Sequence, residues 1–178
     1  MTTYVWRGLE ADSVEHLDLG IRDDRLRARS VVDLGPERVE YAMDLGADWT
    51  FRALRVWSSA GNEVDVSRDA DGAWRVDGEA LPALAGAVDV DLAFSPFTNT
   101  LPIRRLDLAV GASAEIVAAY VAAPSLDVGP DPQRYTRLAA DRYLYESLDG
   151  DFRREITVDD DGFVVDYPGL FARVSGRE

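Results

Sequence analysis

Two aspartates in residues 88–94, Asp89 and Asp91, are the first candidates for chemistry. They stand two apart in an alternating run, so on a strand both point to one face, with Val88, Val90, Leu92 and Phe94 on the other. Paired carboxylates can serve a glycosidase, but i and i+2 side chains on a strand sit roughly 6–7 Å apart, which matches neither the retaining nor the inverting spacing cleanly. Contacts across the sheet to Arg105 and Asp107 on the following strand are the expectation that follows, with Arg105 supplying the opposite charge of an ion pair. The single histidine, His16, shares a strand face with Val14 and Asp18, and a His–Asp pair is acid–base equipment only if a nucleophile or substrate lies beside it. Residues 95–105 form a long, proline-bounded connection carrying Asn99 and three threonine or serine hydroxyls of the kind that read sugar hydroxyls. If residues 106–110 continue as a strand, Arg104 shares the apolar face of Leu106, Leu108 and Val110. A guanidinium there needs an internal carboxylate or an anionic or hydroxylated ligand, because desolvating it alone costs several kcal/mol.

Much other chemistry is excluded by composition. The chain of 178 residues has no Cys and one His, and all 19 of its basic residues are Arg. Thiol nucleophiles, disulfides, thiolate metal sites, lysine Schiff bases and any site needing two histidines are therefore absent. Nucleotide-binding glycine loops, the nucleophile-elbow motif and the zinc-protease motif do not occur. The acidic turns at Ser67–Gly72 and Thr157–Gly162 fail as calcium loops, since the twelfth positions are Gly78 and Pro168. No metal and no cofactor is expected. A net charge of −14 repels nucleic acid and anionic bilayers, and no apolar run reaches the ~20 residues of a membrane helix. The N-terminus lacks a secretory pattern, so the expectation is a cytoplasmic protein without stable membrane insertion.

The elements that must position these residues are mostly strands. Leu26, Ala28, Ser30, Val32 and Leu34 alternate with polar neighbours. Val39 to Leu45, Trp49 to Ala53, Val64 to Val66 and Trp74 to Val76 do the same. Asp71-Gly72 and Asp161-Gly162 read as hairpin turns. The alanine-rich segment 113–123 predicts the one helix, with Ser113 as N-cap, Glu115 in the first turn and Pro124 as the stop. Residues 127–133, rich in Gly and Pro, read as a loop. The expected fold class is mainly β, a curled antiparallel sheet with about one helix near 113–123, forming one domain over 1–178. The aromatics Trp6, Trp49, Trp57, Trp74, Tyr143 and Tyr145 would pack its core, or line a groove that takes acyl chains or stacks on sugars.

Several runs resemble one family. Asp89-Val90-Asp91-Leu92 followed by Ser95-Pro96-Phe97-Thr98-Asn99-Thr100-Leu101-Pro102-Ile103-Arg104-Arg105-Leu106 looks like the signature of the bacterial glycolipid-binding family. The likeness extends to Trp6-Arg7-Gly8-Leu9-Glu10, Asp71-Gly72-Ala73-Trp74, Arg142-Tyr143-Leu144-Tyr145-Glu146-Ser147 and Tyr167-Pro168-Gly169-Leu170-Phe171. The resemblance implies a spiral β-roll, similar in outline to carriers that hold acyl chains against a curled sheet. It implies a lipid or glycolipid partner, with Glu10, Tyr143, Tyr145 and Glu146 joining Arg104, Asn99 and Trp57 as ligand contacts. The expectation is a non-enzymatic binder of an amphipathic molecule. The rivals are a hydrolase acting on a glycoside or ester through Asp89/Asp91 or His16 with Glu10, and a protein-interaction module.

Overall fold

Alternation builds the strands as expected, and pairing on both edges decides the rest. The computed structural model describes residues 1–10 and 12–176. The N-terminal strands are β1 (Thr2–Gly8), β2 (Val14–Arg22), β3 (Arg25–Asp33), β4 (Arg38–Gly46), β5 (Phe51–Ser58), β6 (Glu63–Arg68), β7 (Trp74–Val76) and β8 (Glu79–Ala80). After them come β9 (Asp89–Leu92), a helix α1 (Thr100–Leu106), β10 (Ser113–Val121), β11 (Val128–Ala139), β12 (Arg142–Ser147), β13 (Arg153–Val158), β14 (Val164–Tyr167) and β15 (Phe171–Gly176). All 15 strands form one sheet, in the order β8-β7-β6-β5-β4-β3-β2-β1-β15-β14-β13-β12-β11-β10-β9. Every neighbouring pair is antiparallel except β9 and β10.

That order forces curvature. Strands β8 and β9 are consecutive in the chain yet occupy opposite edges of the sheet. Laid flat, fourteen inter-strand spacings would separate them by about 65 Å. The intervening residues 81–88 reach at most about 30 Å. The sheet must therefore curl until its edges approach. The linker is pinned across the gap: the Ala87 carbonyl accepts from Trp74 Nε1 at 3.0 Å and from Arg68 Nε at 3.3 Å. The edge strand β8 is only two residues long, which limits the unpaired backbone it offers.

The inner face is filled unevenly. Trp6, Leu17, Tyr41, Met43, Leu45, Phe51 and Val56 from the first half are sealed, and Phe94, Phe97 and Leu101 from the turn and helix plug the concavity above them. A second cluster gathers Ile103, Tyr135, Tyr143, Tyr145, Ile156, Val158, Val164 and Tyr167 from the other half. Helix α1 sits between the two, with Leu101 in one cluster and Ile103 in the other.

Three local expectations are corrected. Residues 113–121 are strand β10, not a helix, and the helix lies at Thr100–Leu106. Alanine favours a helix by only tenths of a kcal/mol per residue, while β10 gains ladders to both β9 and β11 and buries Ala118 and Ala119. Residues 128–133 belong to β11, not a loop. Pro130 and Pro132 are tolerated because β11 pairs there with β10 alone; its register with β12 begins at Gln133. Residues 106–110 are not a strand. A 3-10 turn, Pro96–Asn99, capped by the Ser95 side chain, runs straight into α1, and Asp107 ends it at φ 42°.

The two Asp-Gly turns are built alike. Asp69 Oδ1 accepts from the Asp71 and Ala73 amides, and Asp159 Oδ1 accepts from the Asp161 and Phe163 amides. The carboxylates of Asp69 and Asp159 thus serve the backbone of their own turns. Gly162 has a second reason to be glycine: a Cβ there would lie 3.2 Å from Ile103 Cγ2 and 3.3 Å from Arg104 Cγ, where α1 packs on the turn.

Candidate functional site

The second half of the inner face leaves an open cavity of about 490 Å³. Its floor is the end of β9 and the turn that follows, with Asp91, Ser95 and Asn99. Its walls come from Tyr120 on β10, Asp131 on β11, Tyr145 on β12, Tyr167 on β14 and Phe171 on β15, and the β12–β13 connection adds Asp149 and Phe152. Three of the rings are in mutual contact and a fourth, Phe171, joins them through Tyr167. Centroids of Tyr145–Phe152, Tyr145–Tyr167, Phe152–Tyr167 and Tyr167–Phe171 lie 5.9, 6.3, 6.4 and 6.3 Å apart, tilted by 53–64°.

Carboxylates set the electrostatics. Asp91 accepts from Thr98 Oγ1 at 2.9 Å and from Gln133 Nε2 at 2.8 Å. The same Gln133 amide donates to Asp131 Oδ2 at 2.7 Å, so one buried carboxamide bridges two acids. Asp91 is pushed up to about 6, chiefly by enclosure in protein, with repulsion from Asp131 and Asp89 adding to it. Asp131 is raised too, mainly by burial, then by Asp149. The Tyr120, Tyr145 and Tyr167 hydroxyls are all held above their ordinary range, by burial first and by Asp91 next.

The residues singled out by sequence divide between this cavity and other places. Asn99 and Tyr145 line it. Asn99 is buried, accepts from Tyr135 Oη at 3.0 Å and donates to the Pro96 carbonyl. Arg104 does not line it. It lies on the outer side of α1, stacked 4.7 Å over the Trp49 ring and donating to the Asp161 carbonyl, with over a third of its side chain exposed. Helical rather than extended geometry turns it away from the apolar face on which a strand would have placed it. Tyr143 packs in the second cluster beneath Arg137, 5.6 Å from the ring centroid. Glu146 faces outward toward Arg134, at 3.6 Å. Trp57 borders a shallow depression with Arg55 and Asn62. Glu10 is exposed on the bend after β1.

The aspartate pair is split. Asp89 is 1% exposed and held by Arg105 through two hydrogen bonds, one of 3.1 Å from Nε, fastening α1 to β9. Asp91 alone opens into the cavity. His16 is exposed on β2, and its neighbour Asp18 accepts from Thr3 Oγ1 at 2.6 Å instead. Sequence reasoning missed Asp131, Asp149, Phe152, Tyr167 and Phe171. For the last two a signal existed, in the Tyr167-Pro168-Gly169-Leu170-Phe171 run.

It also missed Glu15. This carboxyl is buried between β2, β3 and β4, where Oε1 accepts from Ser30 Oγ at 2.7 Å, Tyr41 Oη at 2.8 Å and Ser95 Oγ at 2.8 Å. Its Oε2 is buried without a partner. Burial pushes Glu15 up to about 7 against the lowering effect of the three donors. Through Ser95 the network joins the sheet to the turn that floors the cavity.

A curled antiparallel sheet with an inserted helix makes the protein a β-roll by shape, with an aromatic, acid-rimmed cavity on its inner face. Residues 3–173 match the family model described as "Putative glycolipid-binding", and the chain belongs to that family. It is similar to a DUF1089 family protein from Pseudomonas aeruginosa solved by crystallography, at 41% identity over 91% of this chain and 92% of that one, with a TM-score of 0.76. No curated protein matches it. Among the described residues no helix is long and apolar enough to cross a membrane.

Proposed function

We propose that the protein is a non-enzymatic carrier of one amphipathic small molecule, a glycolipid or another lipid with a polar head, held in the cavity between α1 and strands β9–β15. The supporting observation is the cavity itself: aromatic walls, carboxylates at one end, and about 490 Å³. That volume suits a head group with a short apolar stretch, not a whole two-chain lipid. Asn99 and Tyr145 contact the ligand from the floor and wall, while Arg104, Glu10, Tyr143, Glu146 and Trp57 stand outside the lining and carry other interactions. The proposal includes a cytoplasmic setting, in keeping with an acidic surface that anionic bilayers repel, and cell fractionation tests it. Mass spectrometry of an organic extract from freshly purified protein, beside a control protein from the same host, tests the carrier. A stoichiometric amphiphile confined to this protein is expected. An empty extract, with no binding of added amphiphiles, refutes it.

One observation favours a second reading. A carboxyl held at about 6 in an open cleft has the poise of a general acid, and Asp91 is such a group. A hydrolase would use Asp91 with Asp131, since Asp89 is engaged by Arg105. Turnover of chromogenic glycosides or esters that disappears in Asp91→Asn would establish it.

A further inference from the structure

The carrier reading leaves the ligand's charge open, and the lining speaks to it. The chain carries 19 arginines, yet among the described residues no basic one lines this cavity. Three carboxylates do: Asp91, Asp131 and Asp149. Arg154, outside the lining, stacks 4.9 Å from the centroid of Phe152, so one of these rings already holds a cation on its face. An anionic head group would meet three like charges in a partly desolvated space.

The hydrogen-bonding inventory is lopsided in the same direction. Asn99 spends its carbonyl on Tyr135 and its amide on Pro96. Ser95 Oγ donates to Glu15, and Ser147 Oγ donates to Asp149 at 2.8 Å. Gln133 gives its amide to Asp91 and Asp131. Among the side-chain donors here only the tyrosine hydroxyls of the wall are left to a ligand, while the carboxylates keep unused lone pairs. Such a site asks for a ligand that brings donors or positive charge.

A metal ion does not meet the request. The Gln133 N–H groups stand on both carboxylates that would have to close on it, and among the described residues no cluster of three or more acids and histidines can hold one. The rings argue the same way. At 53–64° to one another, the four are tilted or edge-on and not stacked in parallel, and Phe152 already carries the Arg154 guanidinium on one face. Aromatic boxes with carboxylates at one end bind alkylated ammonium groups through ring quadrupoles and charge together.

We propose that the cavity binds an organic cation, the ammonium-bearing head of an amphiphile, caged by Tyr145, Phe152, Tyr167 and Phe171 and balanced by Asp91, Asp131 and Asp149. The proposal rests on the carrier reading of this cavity and names its ligand class. Calorimetric titration, below the micelle concentrations and in 150 mM salt, compares dodecyltrimethylammonium, dodecyl maltoside and dodecyl sulfate. The cation should bind one to one and about tenfold tighter than either rival. Phe152→Leu and Phe171→Leu stay apolar and keep net charge, and each should weaken the cation about fivefold and the maltoside by clearly less. Asp149→Asn, at an exposed position, should weaken it severalfold. Equal cation affinity in both leucine variants would mean adhesion to an acidic surface and overturn the proposal. Tighter binding of the maltoside or the sulfate overturns it while sparing the carrier reading. No binding of any of the three removes both.

Discussion

The two halves of this one sheet solve different problems. In β1–β7 the inward residues are mostly aliphatic and aromatic hydrocarbon, Leu17, Met43, Leu45, Phe51, Val56 and Val66 among them, all 2% exposed or less. The turn and helix insert Phe97 and Leu101 into that half and fill it. In β9–β15 four tyrosines, Tyr135, Tyr143, Tyr145 and Tyr167, stand among the inward aliphatics beside Asp91, Asp131 and Gln133, and the concavity stays open. Tyrosine rings bury well at one end but need a partner or water at the other. A face built from them resists being sealed. The lesson is that a filled core and a ligand cavity can share one continuous hydrogen-bonded sheet, separated by seven helical residues.

The comparison is sharpened by asking which half each substitution hurts. The largest effect is expected in the filled half. Phe51→Ala removes a sealed ring stacked 5.0 Å from Trp74 and should cost about 3–5 kcal/mol in urea unfolding, with ligand affinity unchanged in the folded fraction. Arg105→Ala strands the buried Asp89 carboxylate at the boundary between the halves. A loss of about 3 kcal/mol is expected, accompanied by weaker binding because α1 and the Asn99 turn loosen together.

A pH experiment addresses the polar network that links the halves. The folded value of Glu15 is about 7 and its ordinary value 4.5, so the folded state binds the extra proton between those pH values. The stabilisation from Glu15 is thus fully present below pH 4.5 and lost as pH rises through about 7. Its full span is roughly 3 kcal/mol. Unfolding free energies of wild type and Glu15→Gln, taken from pH 4.5 to 8, should converge on a flat difference only if Glu15 is not the titrating group.

Smaller effects belong to the open half and its surroundings. Phe152→Leu, half-exposed at the rim, should change stability by less than about 1 kcal/mol while impairing binding. Arg104→Ala should cost about 0.5–1 kcal/mol through the lost stack on Trp49 and leave cavity binding intact. If it abolished binding instead, the cavity would not be the site.

Much of the fold was legible because a strand's period is local. Leu26 to Leu34 and Val39 to Leu45 alternate in sequence and alternate in burial. The helix was misplaced because the local signal was weak in both places. Ala118 and Ala119 prefer a helix only slightly, and two flanking strands outweigh that preference. Residues 100–106, with Pro102 inside, carry no strong helical pattern, and the Ser95 cap and the pinning of Arg105 by Asp89 make the helix there. Of the candidate site, Asp91, Asn99 and Tyr145 were reachable from the chain alone, as residues of suggestive type. Asp131, Asp149 and Phe152 carried no local mark distinguishing them from ordinary turn and strand residues.

The sequence by itself determined the material: a β-rich, cysteine-free, strongly acidic chain whose strands alternate and whose motifs declare its family. Only the tertiary structure decided that Asp91 faces a cavity while Asp89 is locked to Arg105, that Arg104 lies outside, and that four rings from three strands and a loop line one cavity. The reason is geometric. Side-chain alternation is set within two residues, but the curl that brings β9, β12, β14 and β15 around one space follows from pairing the chain's first and last strands and bridging the sheet's two edges with eight residues. No stretch of sequence contains that closure.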